Sequence, residues 1–149
     1  MSAPTGAAVF TLGTPKTLES SGASIANNAL LNASTAYDRT TDGNDFTDLE
    51  LVLAATFATA PTEGTTIAIY GRLLDIDGTG DTEVPETTRP TLILGQFVVN
   101  NVTSLQYMQA IIRNLPKLTT IYLYNNGTGQ TISSGWTLKG TPRTVMSAQ

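Results

Sequence analysis

At 149 residues the chain is the size of one domain, and a domain of that length buries about 68–70 % of its unfolded surface. Charged residues make up 13 % of it, roughly half the usual ~25 %, and the net charge of −4 comes from 8 basic and 12 acidic residues. The basic residues are scattered, which excludes the clustered cation of a nucleic-acid reader. There is no cysteine and no histidine, so disulfides, thiolate metal sites, the usual zinc sets and a Ser-His-Asp relay are excluded as well.

The opening Met1-Ser2-Ala3-Pro4-Thr5-Gly6 has no basic or apolar region of the kind a signal peptide carries. No apolar run approaches the ~20 residues needed to cross a bilayer. The expectation is a soluble protein made in a cytoplasm, with no membrane partner.

Residues 1–45 are the least regular part. Ala7 to Leu12 reads as a short strand, and Lys16 to Thr35 is rich in Ser, Ala and Asn with apolar residues only at Leu18, Ile25, Leu30 and Leu31. Two readings stand: a capping segment of loosely formed strands, or an irregular N-terminal arm that orders against a neighbouring subunit. Asp42-Gly43-Asn44-Asp45 then marks a turn, and residues 46–143 form the expected β-sandwich domain.

Within that domain the chain is organised around Leu49 to Asp77. Leu49, Leu51 and Leu53 alternate with Glu50, Val52 and Ala54, the period of a half-buried strand. Ala60-Pro61-Thr62-Glu63-Gly64 supplies a turn, and Thr65 to Leu74 returns as a second strand, so the spacing predicts one long hairpin. After a loop punctuated by Pro85 and Pro90, Thr91 to Asn100 is a strand. Leu105, Met108, Ile111, Ile112 and Leu115 recur at three- and four-residue steps, with Thr103 and Gln106 at capping-box spacing. They predict one short helix over Ser104–Asn114. Thr119 to Tyr124 alternates again, Asn126-Gly127 reads as a tight hairpin turn, and Trp136 to Lys139 closes the sheet. Residues 144–149 are a C-terminal tail. The pattern is all-β: a sandwich, jelly-roll-like, with one helix.

The one metal-like constellation is the acidic loop. Asp75, Asp77, Asp81, Glu83 and Glu86 sit at spacings near those of a calcium loop, with Gly80 at the sixth position and Glu86 at the twelfth. Thr79 at the fifth position, the stiffening Pro85 and the strand before the loop weigh against calcium, so a solvated acidic turn is the favoured reading. Asp75, Asp77, Glu83 and Glu86 do not separate into a glycosidase acid and base. Ser20-Ser21 and Ser133-Ser134 have no base partner at suitable spacing. No catalytic or cofactor-binding residue is assigned, and the expectation is a non-enzyme. Trp136 with Tyr122 and Tyr124 would suit a sugar platform, although a lone Trp in a strand belongs more often to a core.

Several segments together resemble small virion proteins of tailed bacteriophages. They are Ser24 to Ala29, the run Leu49 to Pro61, Leu74 to Thr79, and Asn125 to Gln130 leading to Ser134 to Lys139. The resemblance spans residues 24 to 143 and is nearest to head decoration, or cement, proteins, small β-rich chains that bind the outside of an expanded capsid. It implies a virion location on the capsid surface, the major capsid protein as partner, a homo-oligomer (dimer or trimer), and no catalytic residues. The alternative is a tail or receptor-binding component that recognises a host surface glycan.

Overall fold

The computed structural model describes residues 8–75 and 81–147. Two antiparallel sheets pack face to face. The first contains β1 (Ala8–Leu12), β2 (Lys16–Gly22), β5 (Asp48–Ala55), β8 (Gln106–Ile112) and β10 (Trp136–Ser147). The second contains β3 (Leu30–Asn32), β4 (Tyr37–Asp38), β6 (Thr66–Leu73), β7 (Ile93–Val98) and β9 (Leu118–Asn126).

β1 and β2 lie end to end along the same side of β10, broken at Gly13-Thr14-Pro15; β3 and β4 do the same along β9. Each sheet is therefore four positions wide, in the orders β1/β2–β10–β5–β8 and β3/β4–β9–β6–β7. Numbered as eight successive runs, these orders are 1-8-3-6 and 2-7-4-5, the interleaved connectivity of a jelly roll.

Alternation explains which faces meet. In β5 the side chains of Leu49, Leu51, Leu53 and Ala55 are buried while Asp48, Glu50, Val52 and Ala54 are only partly covered. β9 sends Thr119, Ile121, Leu123 and Asn125 inward, and β10 sends Trp136 and Leu138. Leu18, Ile25, Tyr37, Phe57, Ile67, Ile69 and Phe97 complete one continuous core.

Five expectations are corrected by this arrangement. Residues 104–114 are not a helix: Gln106–Ile112 is strand β8, paired in register with β5 from Leu49↔Ile112 to Ala55↔Gln106. Met108 and Ile112 point inward, Tyr107, Gln109 and Ile111 outward, and the apolar outward residues imitate a helical period. Gln106 caps no helix. Its side chain bridges the preceding loop instead, accepting from the Asn100 amide (3.0 Å) and donating to the Asn100 and Val102 carbonyls (both 3.0 Å).

β5 and β6 do not form a hairpin either, because Pro61 to Gly64 carries the chain from one sheet to the other and the two strands pair with different neighbours. The same is true of Asn126-Gly127. Gly127 has the positive φ (70°) of a turn, but β9 and β10 belong to opposite sheets. Here the buried Asn125 plugs the end of the sandwich. Its amide donates to the carbonyls of Ile25 (3.1 Å) and Gln130 (2.8 Å), and its oxygen accepts from Thr128 Oγ1 (2.6 Å).

Residues 8–45 are not an irregular arm. They supply four edge strands, the one-turn helix α1 (Arg39–Asp42) and buried residues Leu18, Ile25, Ala33 and Tyr37. Glu19 ties this segment together by accepting from the amides of Ser20 (2.9 Å), Ser21 (3.1 Å) and Ser34 (3.0 Å). Those bonds, the Ser21 one foremost, hold its carboxyl below the usual range. The expected tail at 144–149 likewise begins inside β10, whose end pairs with β1.

Candidate interaction surfaces

The acidic-loop carboxylates do not converge. Asp75 accepts from the backbone amides of Lys117 (3.1 Å) and Leu118, which pins the end of β6 to the start of β9. The Asp81 amide donates to the Leu73 carbonyl at 3.0 Å. Glu83 and Glu86 both pair with Arg89, at 3.0 and 3.3 Å, across a turn closed by reciprocal Glu86–Arg89 backbone bonds. Asp77, Thr79 and Gly80 lie outside the described residues. Among the described residues no three acidic side chains gather as a metal-binding group. Since Asp75, Glu83 and Glu86 are each held by the protein's own donors, millimolar calcium is expected to leave the melting temperature unchanged. A rise on adding calcium that chelator reverses would restore the metal reading through mass action.

Trp136 is a core residue. It is 1 % exposed, and its indole nitrogen donates to the Ala23 carbonyl at 2.7 Å, so its ring offers no platform. Tyr122 and Tyr124 do lie outward, on the second sheet. Tyr70 stands opposite Tyr122 across the β6–β9 ladder, and its ring centroid is 5.7 Å from that of Tyr124. Burial, helped by the nearby Tyr124, raises the Tyr70 hydroxyl above its ordinary pKa.

The feature that sequence reasoning missed is the outer face of the first sheet. Register places Tyr107 beside Ala54 and Thr137, Gln109 beside Val52 and Lys139, and Ile111 beside Glu50 and Thr141. Further along, Phe10 faces Val145 and Leu12 faces Arg143. Tyr107 is 73 % exposed, Phe10 and Leu12 are each 62 %, and Val145 is 53 %. Monomeric surfaces scatter single apolar residues, but here they gather in two groups on one face, Tyr107 with Ile111 and Phe10 with Leu12 and Val145, which marks an interaction surface.

Part of the charge on this face is paired within it, while the exposed ammonium of Lys139, in register with Gln109, stands free among the described residues. Glu50 accepts from Arg143 Nη1 at 3.4 Å and from Gln109 Nε2, and the Arg143 guanidinium lies 4.6 Å from the centre of the Phe10 ring. A partner covering the face would meet one neutralised pair and the free cation Lys139, which it would have to pair or leave at its rim. A shallow groove of about 340 Å³ opens on it, lined by Val52, Ala54, Leu105, Tyr107, Thr137 and Lys139. No protein-family description matches the chain, and no curated protein matches its sequence.

The signal for this face was present in the sequence. Tyr107 and Ile111 are large apolar residues two apart from Gln109, which as a strand could only be facing solvent. Read as a helix position Ile111 passes for core, and Tyr107 is given no place.

Proposed function

We propose that this protein is a structural virion component, a decoration or cement protein that binds the exterior of a tailed-phage capsid, with the major capsid protein as its partner. The observation that carries the proposal is the outer face of the first sheet, which exposes Tyr107, Ile111, Phe10, Leu12 and Val145 around the internal ion pair Arg143–Glu50. A rigid β-sandwich presenting such a face needs no reaction to act, and the proposal assigns it none. The resemblance of residues 24 to 143 to head decoration proteins supports the same reading. So does the low charge of the chain.

A binding site divided between neighbouring coat subunits exists only after assembly, so a protein that fits it stabilises the lattice by mass action. Contacts repeated around a symmetry axis add avidity through effective concentration. The expected result is co-sedimentation with stripped, expanded capsids and little association with unassembled coat subunits. Phe10→Asp combined with Leu12→Asp places two charges in the exposed face, at positions that do not belong to the core. It should abolish co-sedimentation while leaving the melting temperature within a few degrees. Full binding by that variant would move the contact to another surface, and absence of binding by the unaltered chain would eliminate the cement reading.

The second reading, a tail or receptor-binding component for a host surface glycan, rests on Tyr122 and Tyr124, half-buried on the outer side of the opposite sheet. Loss of binding to host cells on Tyr122→Ala, with capsid binding intact or absent, would favour it.

A further inference from the structure

Among the described residues no strand edge without a hydrogen-bonded partner is longer than that of β8, although β7 of the second sheet runs close beside it. Unpaired edges template further strand pairing, and proteins blunt them with charge, proline, bulges or shortness. The other described edges are blunted in these ways. β2 carries Lys16 and Glu19 and pairs with β10 through register shifts; β3 and β4 have three and two residues; β7 contains Gly95 and a register shift opposite Ile69 and Tyr70. β1 has five residues and runs straight into Gly13-Thr14-Pro15. β8 has seven residues, Gln-Tyr-Met-Gln-Ala-Ile-Ile, with no charge, proline, glycine or bulge, and its one strand partner is β5.

We propose that β8 pairs antiparallel with β8 of a second copy of this chain about a two-fold axis at Gln109, joining the two first sheets into one continuous sheet across the dimer. The occupant follows from self-complementarity. In an antiparallel pair, directly opposite residues share a face, so only registers that match outward with outward residues keep both surfaces intact. The register centred on Gln109 does this and uses all seven residues. On the outer face Tyr107 meets the partner's Ile111, and Gln109 meets the partner's Gln109. On the inner side Met108 meets the partner's Ala110.

Aromatic–β-branched opposition is a favourable cross-strand pair, and it occurs twice by symmetry. The two glutamine amides can donate and accept reciprocally at the axis. No like charges oppose each other, because the strand has none. The dimer also makes the exposed apolar faces of both copies contiguous and packs Tyr107 of each copy against Ile111 of the other.

The test uses the full chain alone, so its outcome is independent of capsid binding. Sedimentation equilibrium at micromolar to submillimolar concentration should show a species of twice the 15.7 kDa chain mass. Gln109→Lys, at a solvent-facing position, sets two ammonium groups against each other at the axis. It should weaken the dimer by about tenfold or more while leaving the melting curve of the monomer unchanged. Directly opposite residues have Cβ atoms about 4.5–5.5 Å apart, close to disulfide reach. The chain has no cysteine of its own, so Gln109→Cys should give a covalent dimer on mild oxidation, and Lys139→Cys, away from the axis, should not. A chain monomeric at submillimolar concentration would overturn the proposal. A dimer indifferent to Gln109→Lys, or equal cross-linking by the two cysteine variants, would overturn it as well.

Discussion

A chain that begins at residue 41 is expected not to fold. Removal of residues 1–40 deletes the fully buried Leu18, Ile25 and Tyr37 together with the buried Ala33. Truncating the three large side chains alone costs together about 7–15 kcal/mol by core-substitution values, which equals the whole stability of an ordinary domain, about 5–15 kcal/mol. The backbone loses as much. β10 gives up its pairing with β1 and β2, β9 gives up its pairing with β3 and β4, and the bonds from Ala33 N to the Ile121 carbonyl (2.8 Å) and from Ile25 N to the Ile132 carbonyl (3.0 Å) disappear. Two new sheet edges are exposed in their place, so the truncated chain should aggregate as well as unfold. Urea unfolding followed by far-UV circular dichroism would check this. The full chain should show one cooperative transition, and the truncated chain none. A truncated protein with a native-like transition would mean that residues 46–147 form a sandwich on their own.

That outcome bears on how capsid binding can be dissected. With the N-terminal segment built into both sheets, its deletion cannot separate an arm from a body, and loss of binding after truncation would report unfolding. Surface substitutions at Phe10 and Leu12 probe the same stretch without removing Leu18, Ile25 or Tyr37.

The strand interiors were legible in the sequence because burial on one face imposes a period of two, as in Leu49-Glu50-Leu51-Val52-Leu53. Partnership was not. A turn such as Pro61-Thr62-Glu63-Gly64 reverses the chain equally well within a sheet or between sheets, and the choice depends on which strands arrive on either side. The N-terminal strands were faint because each edge position is divided into two pieces of two to seven residues, and among their described residues only Leu18 of β2 and Tyr37 of β4 are large buried side chains. Leu18, Ile25 and Tyr37 are too far apart in sequence to form a pattern and converge only in the folded core. β8 was misread for a different reason. Apolar residues on its solvent side broke the alternation that burial alone would have produced, and Ala110 is too small to mark the inward side. Local pattern rules fail most readily where a surface is shaped for something other than folding. The misreading of Ile111 as a helix-face residue coincides with the face proposed to bind.

Gly22→Ala is expected to be among the most damaging single-methyl changes in the protein. Gly22 stands opposite Trp136 where β2 joins β10, and a Cβ at residue 22 would lie 2.0 Å from Cε2 and 2.3 Å from Cζ2 of the indole. The ring cannot retreat cheaply. It is buried, its nitrogen is bonded to the Ala23 carbonyl at 2.7 Å, and the neighbouring Gly135 amide is tied to the Gly22 carbonyl at 2.8 Å. Overpacking of a closed core should cost about 3 kcal/mol, whereas Trp136→Ala should cost ~3–5 kcal/mol through lost burial and the cavity left behind. The two changes act on the same space, so they should not add: in the Trp136→Ala background the methyl at residue 22 enters the vacated volume and its cost should fall close to zero. Urea midpoints of the two single variants and the double variant close the cycle. Trp136 is the sole tryptophan, so its emission reports the displacement directly. Gly22→Ala should shift native emission to the red and increase quenching by iodide, since an expelled indole meets water. Unaltered emission and a stability equal to the parent would show that the indole does not occupy the space beside Gly22, and the packing of β2 on β10 would have to be redrawn.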